Sequence, residues 1–89
     1  MEMASTVKLL GSEVAVSNTA SNIGNAKLVR IYNAHASDQL VTIKSGSNVV
    51  GTVTLVTKEV IYLMKLSQET IEVGSGVSGV KAVSVAYSS

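Results

Sequence analysis

The sequence has no cysteine, no proline, no phenylalanine and no tryptophan, and its aromatic residues are three tyrosines. Without cysteine, neither a disulfide nor a Cys-based zinc site can brace the 89 residues. A domain of this size buries only roughly 60–65% of the surface that its unfolded chain exposes, which leaves oligomerisation as the way to bury more. Self-association is therefore expected of a single domain spanning residues 1–89. The longest unbroken apolar run, Val60 to Met64, is far shorter than the ~20 residues of a membrane-spanning helix. No membrane partner is expected. Glu2 stands where a secretion signal carries positive charge, and no apolar segment follows before Gly11, so the chain is expected to stay in the cell that makes it.

What is present is strand chemistry: Val, Ser, Ala, Thr and Gly dominate, in short segments of period-two alternation bounded by Gly, Ser or Asn. In residues 26–33, Val29 and Ile31 oppose Leu28, Arg30 and Tyr32, which predicts a central strand or one at a subunit contact. Residues 39–44 and 49–56 read as a hairpin across "SGSN" at 45–48, with Val49, Val53 and Leu55 on one face and Gly51 marking a bulge or bend. Residues 59–66 carry "VIYLM" between charged gatekeepers, Lys58 and Glu59 before it and Lys65 after it. Strands around 70–73 and 81–87 complete the set. Apolar positions switch from odd, at Val7 and Leu9, to even, at Val14 and Val16, across Gly11 and Ser12. A bend there would let one segment serve two edges. The fold class is thus all-β: a small, strongly bent barrel of about five to seven antiparallel strands, of the SH3-like or Sm-like kind, or alternatively a small β-sandwich.

Three segments invite a chemical reading. "GSGVSG" at 74–79 has the spacing G-x-G-x-x-G, but the segment after it alternates like a strand and ends the sequence. Without a helix N-terminus behind the loop there is no place for a pyrophosphate, and a Gly/Ser turn is expected. "NAHASD" at 33–38 sets the only histidine beside Ser37 and Asp38, yet neighbours on a short turn seldom converge as a triad must. His35 is expected in a loop. Glu69 and Glu72 read as solvated residues beside a short strand. One His, no Cys and six scattered carboxylates show no metal-ligand spacing, so no cofactor, no metal and no enzymatic activity are expected.

Charge is more suggestive. Lys27, Arg30, Lys44, Lys58 and Lys65 against Asp38 and Glu59 give residues 26–65 a charge of +3, within a chain of net charge +1. Repeated in an oligomer, such a block attracts phosphates, and Tyr32 and Tyr62 are available to stack bases. The expected nucleic-acid contacts are Lys27, Arg30, Tyr32, Lys44, Lys58 and Lys65. The plain reading of the same residues is that lysines keep a β protein soluble and tyrosines fill small cores.

The phrases "LLGSEV" and "LVRIYN", and the order of strands around them, resemble the short Val/Thr/Ala-rich proteins of marine cyanophage genomes and ocean metagenomes, a group likened in fold to Sm-like proteins. The resemblance implies a bent barrel whose edge strands pair into a homo-oligomeric ring that binds RNA or single-stranded DNA. It places the chain in the cytoplasm of an infected host or in the virion. The initial helix and the Arg-Gly or Lys-Gly step of Sm proteins are not visible here, so no contact residue is carried over from them. The alternative is a virion or assembly component that joins other phage proteins through its sheet edges.

Overall fold

The computed structural model describes residues 6–88, with the side chains of Thr6, Tyr87 and Ser88 outside the description. The expectation about Glu2 and residues 1–5 also lies outside it. Eight strands and no helix occur among the described residues: β1 Thr6–Leu9, β2 Val14–Ala15, β3 Leu28–Asn33, β4 Gln39–Ser45, β5 Asn48–Leu55, β6 Val60–Met64, β7 Thr70–Val73 and β8 Val80–Ser88. They form two antiparallel sheets. The larger has the order β1-β8-β3-β6, with β2 also on β8, and the smaller has the order β5-β4-β7.

The all-β expectation holds, and barrel closure is not found among the described residues: the sheets stack as a sandwich. Alternation makes this core. β3 sends Val29 and Ile31 inward and β8 adds Val80 and Ala82, while the smaller sheet contributes Val41, Ile43, Leu55, Ile71 and Val73, all in one buried cluster. β3 is central in its sheet, flanked by β8 and β6. β8 is buried on both sides, since Val83 and Val85 lie opposite Ala82 in the alternation and are still nearly inaccessible.

One reason the sheets stay separate lies between β5 and β6. At Val56 to Glu59 the Glu59 carboxylate accepts from Val56 N–H, Glu59 N–H donates to Val56 C=O, and Lys58 turns the chain at φ 69°. Asn33, fully buried at the end of β3, holds this turn. Its backbone takes Lys58 N–H at 2.7 Å and donates to Glu59 C=O at 3.0 Å, while its amide donates to Leu55 C=O and Ser37 C=O at 2.9 and 3.1 Å. The chain leaving β5 is thereby delivered to β3. β6 therefore does not pair with β5, and among the described residues no strand joins the two sheets on that side.

The other side is stitched. Leu9 stands opposite Val85 and Val14 opposite Ala82, so residues 10–13 span only two residues of β8. This is the bend expected at Gly11. The chain continues from β8 to β7: Val16 N–H bonds Val80 C=O, Ser17 C=O takes Val73 N–H, and Ser21 exchanges both backbone bonds with Ile71. One segment therefore serves both sheets.

The hairpin of β4 and β5 turns at Gly46, φ 62°. Its register shifts between Ile43 and Lys44, leaving Val50 as the extra residue beside Gly51. This corrects the expected face of Val49. Beyond the bulge it pairs with Lys44 on the outer side and is 59% exposed, while Leu55 is fully buried.

Candidate binding face

The outer face of the larger sheet gathers two tyrosines and two cations. Because directly opposed residues share a face, the register places Val83, Arg30 and Tyr62 in one row and Lys81, Tyr32 and Val60 in the next. The Arg30 guanidinium lies 5.7 Å from the centre of the Tyr32 ring, within range of a cation–π attraction. Its Nη1 also reaches the Glu13 carboxylate at 3.4 Å, with both side chains about a third exposed. Glu13 therefore neutralises part of the positive charge here. Lys81 is exposed.

Of the six residues expected from charge, the structure brings Arg30 and Tyr32 together on this face, and it sets Lys27 beside Lys65 elsewhere, where Lys65 N–H donates to Lys27 C=O at 3.0 Å. Lys27 and Lys58 are exposed but stand at opposite ends of β3, roughly 20 Å apart for a strand of that length. Lys44 projects from the outer face of the smaller sheet and is ion-paired to Glu72 at 3.2 Å. Glu72 is thus engaged across a sheet face, and Glu69 is buried in a turn.

Lys65 is a correction. It was expected as an exposed gatekeeper and phosphate contact, and it is 6% exposed. Its Nζ donates to Ala26 C=O at 2.6 Å and to the carbonyls of Leu66 and Ser67 at 3.3 and 3.4 Å. Burial pushes its pKa below the ordinary lysine value, and the Glu69 carboxylate offsets part of that. The carbonyl of Ala26 is presented by a left-handed turn in which Ile23, Gly24 and Asn25 have φ of 54°, 66° and 60°. Such a backbone is unusual for a β-branched residue. Asn22 supports it by accepting from Asn25 N–H and donating its amide to Asn25 Oδ1, while the Ile23 side chain is buried in the core.

Residues 74–79 link β7 to β8 as a turn. Gly79, at φ 92°, donates no side chain to the space where a Cβ would stand 3.0 Å from His35 N, and its carbonyl accepts Ala34 N–H at 2.8 Å. The glycine serves backbone packing. His35 lies in the loop between β3 and β4. Its Nδ1 accepts from Ser37 N–H at 3.1 Å, with Ser37 Oγ at 3.0 Å and Gln39 Nε2 at 3.1 Å around the same nitrogen. That lone pair is committed to a backbone donor. Among the described residues, no three His, Cys, Asp or Glu side chains cluster as a metal site.

Lys81 and the position of Tyr62 beside Arg30 were missed as contacts by the charge argument, because only the register of β8 and β6 on β3 unites them. No family model, curated protein or solved structure matches the chain.

Proposed function

We propose that the chain is a non-enzymatic β module that self-associates and acts as an assembly part through protein contacts. The observation that carries this reading is the position of its exposed large apolar side chains. Val49, Val50, Val56, Val60, Tyr62, Met64 and Leu66, most of the exposed large apolar side chains among the described residues, fall between residues 49 and 66, on β5 and β6 and in the segments just after them. Surface this apolar is most useful when a protein covers it. Multi-angle light scattering over a range of concentrations tests the reading. A species heavier than the 9.2 kDa chain is expected, and a monomer at hundreds of micromolar overturns it.

A second reading, binding of RNA or single-stranded DNA, is favoured by Arg30 over Tyr32 with Tyr62 and Lys81 alongside. Aromatic platforms beside cations are what splayed bases and their phosphates need. In a fluorescence anisotropy titration with a single-stranded oligonucleotide, affinity should fall with salt and with Tyr32→Ala or Lys81→Ala. Lys44→Ala, on the other sheet, should leave it unchanged. No binding at low salt leaves assembly as the whole function.

A further inference from the structure

The core of the sandwich runs out toward one end of β8. Along the inward row of that strand Val80 and Ala82 are fully buried, but the next two residues of the row, Ser84 and Ala86, are small and only half-buried. Beside them lies a groove of about 720 Å³, walled by the bend at residues 10–14 and by the left-handed turn that leads into β3. Small-molecule sites commonly enclose roughly 300–1,000 Å³.

Apolar side chains make much of the lining. Leu10 and Val14 stand on one wall, Ile23 and Leu28 on the other, with Ser84 and Ala86 between them. Leu10 and Val14 are exposed, so apolar surface meets water where the core could have continued. Each wall also carries a glycine, Gly11 or Gly24, at which an added Cβ would meet no atom within 4 Å. Neither wall closes the space.

The charge around the groove has one sign. Lys27 lines it, and Lys8 stands opposite Ala86 in the β1–β8 register, on the same face of the sheet. Both are exposed, and no carboxylate among the described residues lines the groove. Apolar walls with ammonium groups beside them complement an apolar body that ends in a negative charge.

We infer that this groove binds a free monocarboxylate with an apolar body, the body against Leu10, Val14 and Ile23 and the carboxylate at Lys27 and Lys8. The site is separate from the surface of the self-association reading, since none of residues 49–66 lines it.

Isothermal titration of the full chain with octanoate and decanoate, each below its micelle concentration, tests the site. One molecule should bind per chain, and decanoate should bind roughly tenfold tighter, since each buried CH₂ contributes about fourfold. Octan-1-ol, which has the same body and no charge, should bind about threefold more weakly than octanoate. Lys27→Met should narrow that difference. Ser84→Leu carries the buried row into the groove and should weaken octanoate and octan-1-ol roughly tenfold. Ser84 lines this groove and not the neighbouring one at Met64 to Glu69, which shares Lys27. Where Ser84→Leu alters the circular dichroism spectrum, Ala86→Leu in the same row replaces it. Binding that survives the filling variant overturns the site, and equal affinity for acid and alcohol overturns the anionic class. Absence of saturable binding at millimolar decanoate overturns both.

Discussion

β6 and β7 are alike in length and in ending a sheet, yet among the described residues only the β7 edge is bonded by a neighbouring segment. β7 buries Ile71 and Val73, is bonded along its outer edge by residues 17–21, and turns Glu72 outward to meet Lys44. β6 turns Ile61 and Leu63 inward, only partly buried, and shows Val60, Tyr62 and Met64 outward. Covering and charge thus occur together, and so do openness and apolar surface. The difference teaches that the outward residues of a terminal strand tell more about its use than the inward ones, which in both strands simply face the core.

The largest test of this contrast is stability. Ile71→Ala empties a fully buried site and should cost about 3–4 kcal/mol, whereas Ile61→Ala, at a partly buried site, should cost about 1–2 kcal/mol. Urea unfolding of the two variants reads both. Equal losses would mean that β6 is as firmly built into the core as β7.

Next comes the device that keeps β6 away from β5. Asn33→Ala leaves the carbonyls of Leu55 and Ser37 and the N–H of His35 without their present partners, for an expected loss of about 2–3 kcal/mol. A loss under 1 kcal/mol would show that the Glu59 turn holds the separation by itself.

A smaller effect should come from uncovering β7. Ser21→Pro removes the N–H that bonds Ile71 C=O at 3.2 Å and should cost about 1 kcal/mol. Its larger consequence is in assembly. With the β7 edge uncovered, light scattering should show larger species than the unaltered chain forms, growing with concentration; an unchanged size distribution would mean that the cover does not guard this edge.

Much of this contrast was legible in part. The alternation at Val29 and Ile31 showed β3 as a strand with two useful faces, and Gly46 and Gly51 marked the hairpin turn and the bulge. The bulge's effect on Val49 was not legible, because one extra residue reverses the faces on one side of it relative to the other, and its position depends on the partner strand. The cover on β7 was hidden as well. "SNTAS" has no alternation, and its backbone, not its side chains, makes the bonds. As for the candidate face, Arg30 and Tyr32 could be placed together because they share one strand. Lys81 was missed because a residue far along the chain joins them only through the β3–β8 register. Asn33 read as the start of a loop, since a buried amide and a loop amide look the same in sequence.

Lys65 was misread for a related reason, and it supplies the smallest of the expected effects, a slope instead of a step. A lysine after an apolar strand resembles a gatekeeper until a left-handed turn sets a carbonyl above it. Burial lowers its folded pKa below 10.5. Between that lowered value and 10.5 the unfolded chain holds a proton that the folded chain has released, so the contribution of Lys65 to stability rises with pH across this window. Below the window the protonated, buried ammonium is a cost, partly offset by Glu69 and the three carbonyls. Lys65→Met removes the titration, so the wild type should gain stability relative to this variant as pH increases through the lowered value toward 10.5. Parallel profiles from denaturant unfolding would place the ammonium in contact with water. The residue after β6 would then guard the edge after all, and the contrast with β7 would narrow to the cover alone.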